Sequence, residues 1–448
     1  MEQRHANYGL GMSVIGSIFF IFGFATTFII TLSGKVKDIF ELTEFQAQLL
    51  SFAFFITYFF ISIPIGLYIK KIGYKSALIA GLLLMATGSF LFFPAASAPS
   101  FPLFLTATFV LASGVVFLQT AANPYVTALG SDETAGGRLN LVQALNSIAT
   151  MVAPWIIAVL IFRETGDVLD AVQKAETVKM PFIIMGVIVM LVALAIFLTR
   201  LPIVGQDTAA QRKSVWNRPH VLLGALGIFF YVGAEVGTGG LILNYLKESG
   251  IVLNSEEAGK YVAIYWGGAM IGRFFGSIML SNMTDNLRKY MYVALVLLLA
   301  LVSGSFVTDW SWNIGAIFMV VAVANFILMQ LGKGNAGRSL AVFALTAAAL
   351  ALVTTFTTGN LALWTVISIG MFNSIMFPNI FTLAVKDLDP GELSTASGII
   401  NTLICGGAII PLIMGSIADS AGYSFAFIVP AICYLYIFFY AVKGSKIR

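Results

Sequence analysis

Charge is the scarcest feature of this chain. Of its 448 residues only 25 are Lys or Arg and 21 are Asp or Glu, so that 10% are charged, against roughly a quarter in an ordinary soluble domain. A water-soluble globule of this size could not cover its surface with so few. Histidine and cysteine are nearly absent too, at two residues each. His5 and His220 have no metal-like partner, and Cys405 and Cys433 sit in apolar stretches without C-x-x-C spacing. A zinc framework and a secreted disulfide scaffold are thereby excluded. No basic run is long enough to track a phosphate backbone, which removes nucleic acid from the partners. No P-loop is present, so ATP does not drive the chain directly. Nor does any serine in an apolar run have a His or Asp close by, as a nucleophilic enzyme would need. A filter-type channel would need a repeated pore motif, and there is none. No cofactor is implied, and the chain is not expected to be an enzyme.

What is present is apolar. The residues AVILMFWYC make up 59% of the chain, with 38 phenylalanines. A bilayer core takes about 20 apolar residues per helix. Segments of that kind fall at 9–32, 45–68, 76–94, 102–128, 139–162, 181–199, 220–246, 259–281, 290–307, 313–331, 339–356, 361–385, 395–417 and 424–442, fourteen in all. Each run is continuously apolar rather than alternating, which predicts helices and not barrel strands. The first run is too long for a signal-peptide core and no A-x-A-like site follows it, so it is expected to be retained as a helix. The expectation is an all-α polytopic membrane protein, embedded in a lipid bilayer.

Lys and Arg set the orientation. With the N-terminus inside, the cytoplasmic segments hold 18 of the 25 and the outer loops 7. That split predicts cytoplasmic N- and C-termini and an even helix count. The polar stretch 201–219, LPIVGQDTAAQRKSVWNRP, follows six segments and precedes eight. It divides the chain into an N-terminal six-helix bundle at 1–200, a cytoplasmic linker at 201–219 and a C-terminal bundle at 220–448. The two halves echo each other. GVVFLQTAANPYVTAL (114–129) matches GMFNSIMFPNIFTLAV (370–385) in its order of glycine, polar residues and a proline beside asparagine. Asn146 with Pro154 is echoed by Asn401 with Pro411. Two similar halves are a transporter signature.

Charges inside the hydrocarbon layer are costly and mark ion or substrate pathways. Of the 21 acidic residues only Glu235, in YVGAEVGTGG, lies deep within a span. Tyr231 and Thr238 share its face at i−4 and i+3. The four glycines around it, at 233, 237, 239 and 240, are expected to loosen a moving helix. A coupling ion or a substrate hydroxyl would suit Glu235; a protonated carboxyl bonded to a neighbouring helix is the bland alternative. Uncharged polar stripes follow: Gln119, Asn123 and Thr127 in the fourth segment, and Asn140, Gln143, Ser147 and Thr150 with Asn146 in the fifth. Asn373 and Ser374 lie in the twelfth segment and Asn401 in the thirteenth. Carboxamides donate and accept at once, so one of them can bridge vicinal hydroxyls of a neutral polyol. Trp266, Tyr58 or Phe377 could cover the apolar side of a sugar ring. The alternative for each Asn or Gln is helix–helix glue, to which Asn123 and Asn140 are nearest by position. Arg273, toward the cytoplasmic end of the eighth segment, is expected to snorkel in a structural or gating role.

These residues carry a resemblance. The stretch LTEFQAQLLSFAFFITYFFISIPIGLYIKKIGYKSALIAGLLL (42–84) is similar to the fucose permease-like branch of the major facilitator superfamily. So are LQTAANPYVTALG (118–130) with RLNLVQALNS (138–147), FNSIMFPNIFTLAVKDL (372–388) and GGAIIPLIMGSIAD (406–419). The resemblance implies the major facilitator fold, two pseudo-symmetric six-helix bundles around a central cavity, in the cytoplasmic (inner) membrane. It also implies import of a sugar such as glucose, galactose or fucose. Two departures stand out. The family has twelve helices, which leaves an extra pair at about 290–331. Both carboxylates that the fucose permease uses are missing, with Ile30 and Gln119 in their places. The fold and the sugar class carry over; the proton mechanism does not. Glu235 is left as the one intramembrane acid for coupling, to a proton first or to Na+, with uncoupled uniport as a third course.

The expected substrate is a neutral monosaccharide, a hexose before fucose, mannose or N-acetylglucosamine. Gln119, Gln143, Asn146, Asn373, Asn401 and Asn123 are the expected sugar contacts. A monomer is expected. A same-fold transporter of a non-sugar solute, a membrane-embedded transferase and a sugar sensor without flux remain the alternatives.

Overall fold

The computed structural model describes residues 2–129, 135–161, 171–199, 201, 215, 217–279, 285–333, 335–388, 396 and 398–447. Most of the expected linker 201–219 therefore lies outside the described residues, while helices occupy all fourteen expected segments. They are α1 (Glu2–Phe40), α2 (Leu49–Ile72), α3 (Tyr74–Ser97), α4 (Phe101–Ala128), α5 (Ala135–Leu160), α6 (Ala171–Leu198), α7 (Pro219–Glu248), α8 (Ser255–Met279), α9 (Asn286–Val307), α10 (Trp312–Leu331) and α11 (Ala336–Phe356). Three more, α12 (Gly359–Ala384), α13 (Gly398–Ala421) and α14 (Tyr423–Lys446), complete the order. Among the described residues thirteen are long and apolar enough to cross a membrane, and α5 carries the shorter apolar run Leu145–Leu160. The chain is a multi-pass membrane protein. Helices are the form such runs must take, because in lipid each backbone N–H and C=O has to be satisfied within its own segment.

Local chemistry sets the helix boundaries. Asp285 starts α9 by accepting from the N–H groups of Leu287 and Arg288. Asn335 does the same for α11 through Arg338. A one-turn helix, Glu44–Ala47, opens on a capping box in which Thr43 and Gln46 exchange side-chain and backbone bonds. Between α2 and α3 the chain turns at Gly73, with φ +78, a backbone that a side chain would resist.

The helices pack as two six-helix bundles. In the first, α1 lies on α5, and α3 lies on α4 and α6. In the second, α7 lies on α13, α8 on α12, and α11 on α14. The bundles meet along α1 with α7, α2 with α13, and α5 with α8. The remaining hairpin, α9 and α10, leans on α8 from outside, and α10 also touches α11 and α12. Only 33% of α9 and 28% of α10 is buried, against 78% of α8, so the pair is peripheral to the bundles. Its connecting turn carries exposed Trp310 and Trp312, the residue type that anchors helices at a membrane–water interface. Asp309 in the same turn is tied back to Lys260 of α8 at 2.6 Å.

The glycines of α7 serve packing. A Cβ on Gly239 would lie 2.8 Å from the Trp266 ring, and one on Gly240 would lie 3.0 Å from Gln48 Oε1. Gly233 and Gly237 likewise admit Ile410 and Met414 of α13. The expected loosening of this helix gives way to close contact on all sides, because each missing side chain is replaced by a neighbouring one.

Candidate functional site

Glu235 sits midway along α7 and is 9% exposed. The Tyr231 hydroxyl, one turn away, donates to Glu235 Oε1 at 2.7 Å. Behind it Tyr265 of α8 donates to the Glu235 backbone carbonyl at 2.9 Å, and Asn373 of α12 donates to the Tyr265 hydroxyl at 3.0 Å. In front, Arg273 of α8 holds its guanidinium 3.9 Å from Oε1. The same guanidinium donates to Ser147 Oγ of α5 at 2.8 Å, and Ser147 donates to the Gln143 carbonyl at 2.9 Å. A continuous polar line thus runs from α5 in the first bundle through α8 to α7 in the second. Arg273 does not snorkel to the surface as expected. Its stem turns inward because a carboxylate and a hydroxyl lie within reach there.

An ion pair in this place is a poor stabiliser. Desolvating two charges costs several kcal/mol per ion, and well-packed apolar residues do as well or better. Both partners lie in the second bundle, and the bond that crosses to the first is the one from Arg273 to Ser147, so the guanidinium that makes the crossing is anchored on α7 only while Glu235 is charged.

The uncharged polar residues separate into three groups. Asn146 donates to the Phe19 carbonyl of α1 at 3.0 Å and is pinned between helices. Asn373 is fully buried behind Glu235, facing Tyr265 rather than open space. Gln119, Gln143 and Asn401 are only half-buried. Gln119 Oε1 accepts from the Tyr58 hydroxyl at 2.7 Å, which leaves its two N–H donors without a partner among the described residues. The side chains of Asn123, Thr127 and Asn140 lie outside the described residues. Trp266 is buried with its ring edge against Gly239, and Phe377 stacks on Phe381, with ring centroids 6.5 Å apart. Among the described residues no group of three or more His, Cys, Asp or Glu side chains could hold a metal ion.

Sequence reasoning passed over one buried acid. Glu44 counts as a helix-end residue by position, yet it is 0% exposed. Its partners come from α1, α7 and α14. The TEFQ pattern at 43–46 signals the local helix start and nothing of those distant donors.

Comparison with known proteins agrees with this architecture. Residues 14–337 match the Major Facilitator Superfamily. The chain is 39% identical to a glucose/galactose transporter of Brucella abortus, over 98% of this chain and 95% of that one. It is 30% identical to the L-fucose-proton symporter of Escherichia coli, over 98% and 94%. The crystal structure of the E. coli fucose:proton symporter superposes with a TM-score of 0.65 at 29% identity, over 98% of this chain and all of that one. The match spans both bundles, and the chain belongs to the fucose permease-like family of the Major Facilitator Superfamily.

Proposed function

We propose that this protein imports a neutral hexose, glucose or galactose, across the bacterial inner membrane by alternating access, coupled to the entry of a proton. The sugar class rests on the Brucella relative, a glucose/galactose transporter, and the proton on the E. coli relative, a fucose-proton symporter. The bundles span 1–200 and 220–448, joined by a cytoplasmic linker at 201–219, with the extra pair at about 290–331 and both termini in the cytoplasm.

The observation that carries the mechanism is the Glu235–Arg273–Ser147 line. A proton from the outer solution binds a Glu235 carboxylate oxygen and makes the group neutral. The attraction for Arg273, internal to the second bundle, is lost, and the guanidinium that crosses to Ser147 of the first bundle is no longer anchored on α7. Release of the proton to the cytoplasm restores the ion pair. Sugar hydroxyls meet the half-buried carboxamides Gln119, Gln143 and Asn401, with Asn123 on the helix of Gln119, Asn146 on that of Gln143, and Asn373 on α12. In this chain the acid therefore lies on α7, with Ile30 and Gln119 at the places where the resemblance puts the fucose permease's carboxylates.

The test is labelled glucose uptake into proteoliposomes under an imposed proton gradient, a sodium gradient or neither, with Glu235→Gln beside the wild type. The expected result is uptake raised by the proton gradient in the wild type and indifferent to it in the variant, with sugar exchange intact in both. Wild-type uptake raised only by sodium replaces the proton with Na+. Uptake indifferent to both gradients ends the coupling assignment and makes the protein a uniporter.

A further inference from the structure

We propose that Glu44 is the latch of the outer gate, the contact that holds the two bundles together at the end that the Lys and Arg distribution assigns to the outside. The proposal rests on the alternating access read above, and on neither the sugar nor Glu235.

Glu44 opens the one-turn helix between α1 and α2, and its carboxylate is fully removed from solvent. Within its own bundle Gln48 donates to Oε1 at 2.9 Å, and Lys37 of α1 lies 3.4 Å from Oε2. From the other bundle Asn244 of α7 donates to Oε2 at 2.9 Å, and so does the Tyr423 hydroxyl at the start of α14, also at 2.9 Å. Lys37 in turn donates to that same Tyr423 hydroxyl. The backbone is held as firmly as the side chain. Asp419 of α13 accepts the N–H of Glu44 at 2.7 Å and that of Phe45 at 2.8 Å. Gly415, one turn earlier in α13, makes room for this approach, since a Cβ there would lie 2.9 Å from Phe45 Cα. A second crossing, Lys247 to Asp38 at 3.4 Å, lies beside the first.

A buried carboxylate is tolerable only when its lone pairs are all used. Here three hydrogen bonds, from Gln48, from Asn244 of α7 and from Tyr423 of α14, together with the Lys37 ammonium of α1, meet that condition, two of the donors lying in the opposite bundle. It can hold only while all three helices are in place. Opening this end removes Asn244, Tyr423 and Asp419 together and leaves Glu44 to water, which solvates a carboxylate well. The latch is therefore all-or-none in register yet reversible, as a gate that cycles must be.

The experiment measures the gate directly. Spin labels are placed on Ala98→Cys, in the outer turn between α3 and α4, and on Leu253→Cys, in the turn between α7 and α8. Both positions are exposed. The background is Cys405→Ser/Cys433→Ser, and distances are read by pulsed electron resonance. Losing charge-assisted bonds of this kind should raise the ratio of long to short distances about tenfold in Glu44→Gln and in Asp419→Asn. The same shift should appear in a Glu235→Gln background, which separates this proposal from the coupling mechanism. Should Glu44→Gln fail to fold, Asp419→Asn carries the test alone, because it leaves the buried carboxylate and its side-chain donors in place. Distance distributions that match the wild type in every folded variant overturn the latch.

Discussion

Among the described residues two carboxylates are buried, and they are held in opposite ways. Glu44 accepts hydrogen bonds from three side chains drawn from both bundles and faces the Lys37 ammonium at 3.4 Å. Glu235 receives one hydrogen bond, from its own helix, and faces its cation at 3.9 Å. The first is saturated and can change partners only if helices part. The second is under-coordinated, with one charged neighbour whose hold depends on the charge of the carboxylate itself. Saturation suits a group that must keep two bodies in register. Under-coordination suits a group that must gain and lose a proton without large motion around it. The contrast matches the roles proposed for the two acids, gate for Glu44 and coupling for Glu235.

The widest separation between them should come from the paired variants Glu235→Gln and Glu44→Gln in gradient-driven uptake. Glu235→Gln should abolish accumulation above the outside concentration altogether while leaving exchange in place. Glu44→Gln should keep the gradient response and change only the maximal rate. A Glu44→Gln protein that loses the response as completely as Glu235→Gln would erase the distinction.

Next in size is Arg273. Removing one partner of a fully buried pair costs about 3–5 kcal/mol. Because the Arg273 side chain is a quarter exposed, Arg273→Gln should cost nearer 1–3 kcal/mol by thermal unfolding. Adding Glu235→Gln should recover part of that loss, since the second change removes the stranded charge. Unfolding losses that simply add would mean the two groups do not interact. A smaller effect is expected at Gln119, whose N–H donors have no partner among the described residues. Gln119→Leu should raise the sugar KM roughly three- to tenfold, the worth of one net hydrogen bond, and leave ion dependence alone. An unchanged KM would return Gln119 to its bond with Tyr58.

The span positions, the extra pair and the placing of Glu235 deep within a span were all legible along the chain. Runs of about 20 apolar residues are a strong signal when the solvent is a bilayer, and an acid among them stands out by type alone. Direction around the helix axis was not legible. Arg273 could be placed in depth but not in azimuth, so its turn toward Glu235 and Ser147 was invisible. Asn373 could be put on α12 but not behind Tyr265 rather than facing open space. The glycines of α7 looked like looseness because the side chains that fill their gaps belong to α2, α8 and α13. Glu44 was hidden for a related reason: Asn244 and Tyr423 lie 200 and 379 residues away in the chain. Local patterns locate helices; which faces meet depends on the packing of the whole.

The smallest effect concerns the extra pair, and it tests how far the coupling region extends. Asn325 of α10 is fully buried and donates to the Met371 carbonyl of α12 at 3.1 Å. That carbonyl lies just before α12 is interrupted at Ser374 and Ile375, between the helical stretches Gly359–Asn373 and Met376–Ala384. A carbonyl at a helix break needs an outside donor, and the peripheral hairpin supplies it. The next residues along α12 lead to Asn373, Tyr265 and the Glu235 carbonyl. Asn325→Leu removes the donor, and also removes an amide oxygen that has no partner, so the two changes partly offset. The net loss should be about 1 kcal/mol, the usual worth of an interhelical bond within a membrane. It should appear in thermal unfolding, with KM and the proton-gradient response unaltered. A weakened gradient response at unchanged stability would extend the coupling region through α12 into the extra pair, and the contrast between a saturated gate and a loosely held acid would then include the helices that hold the acid's own surroundings in place.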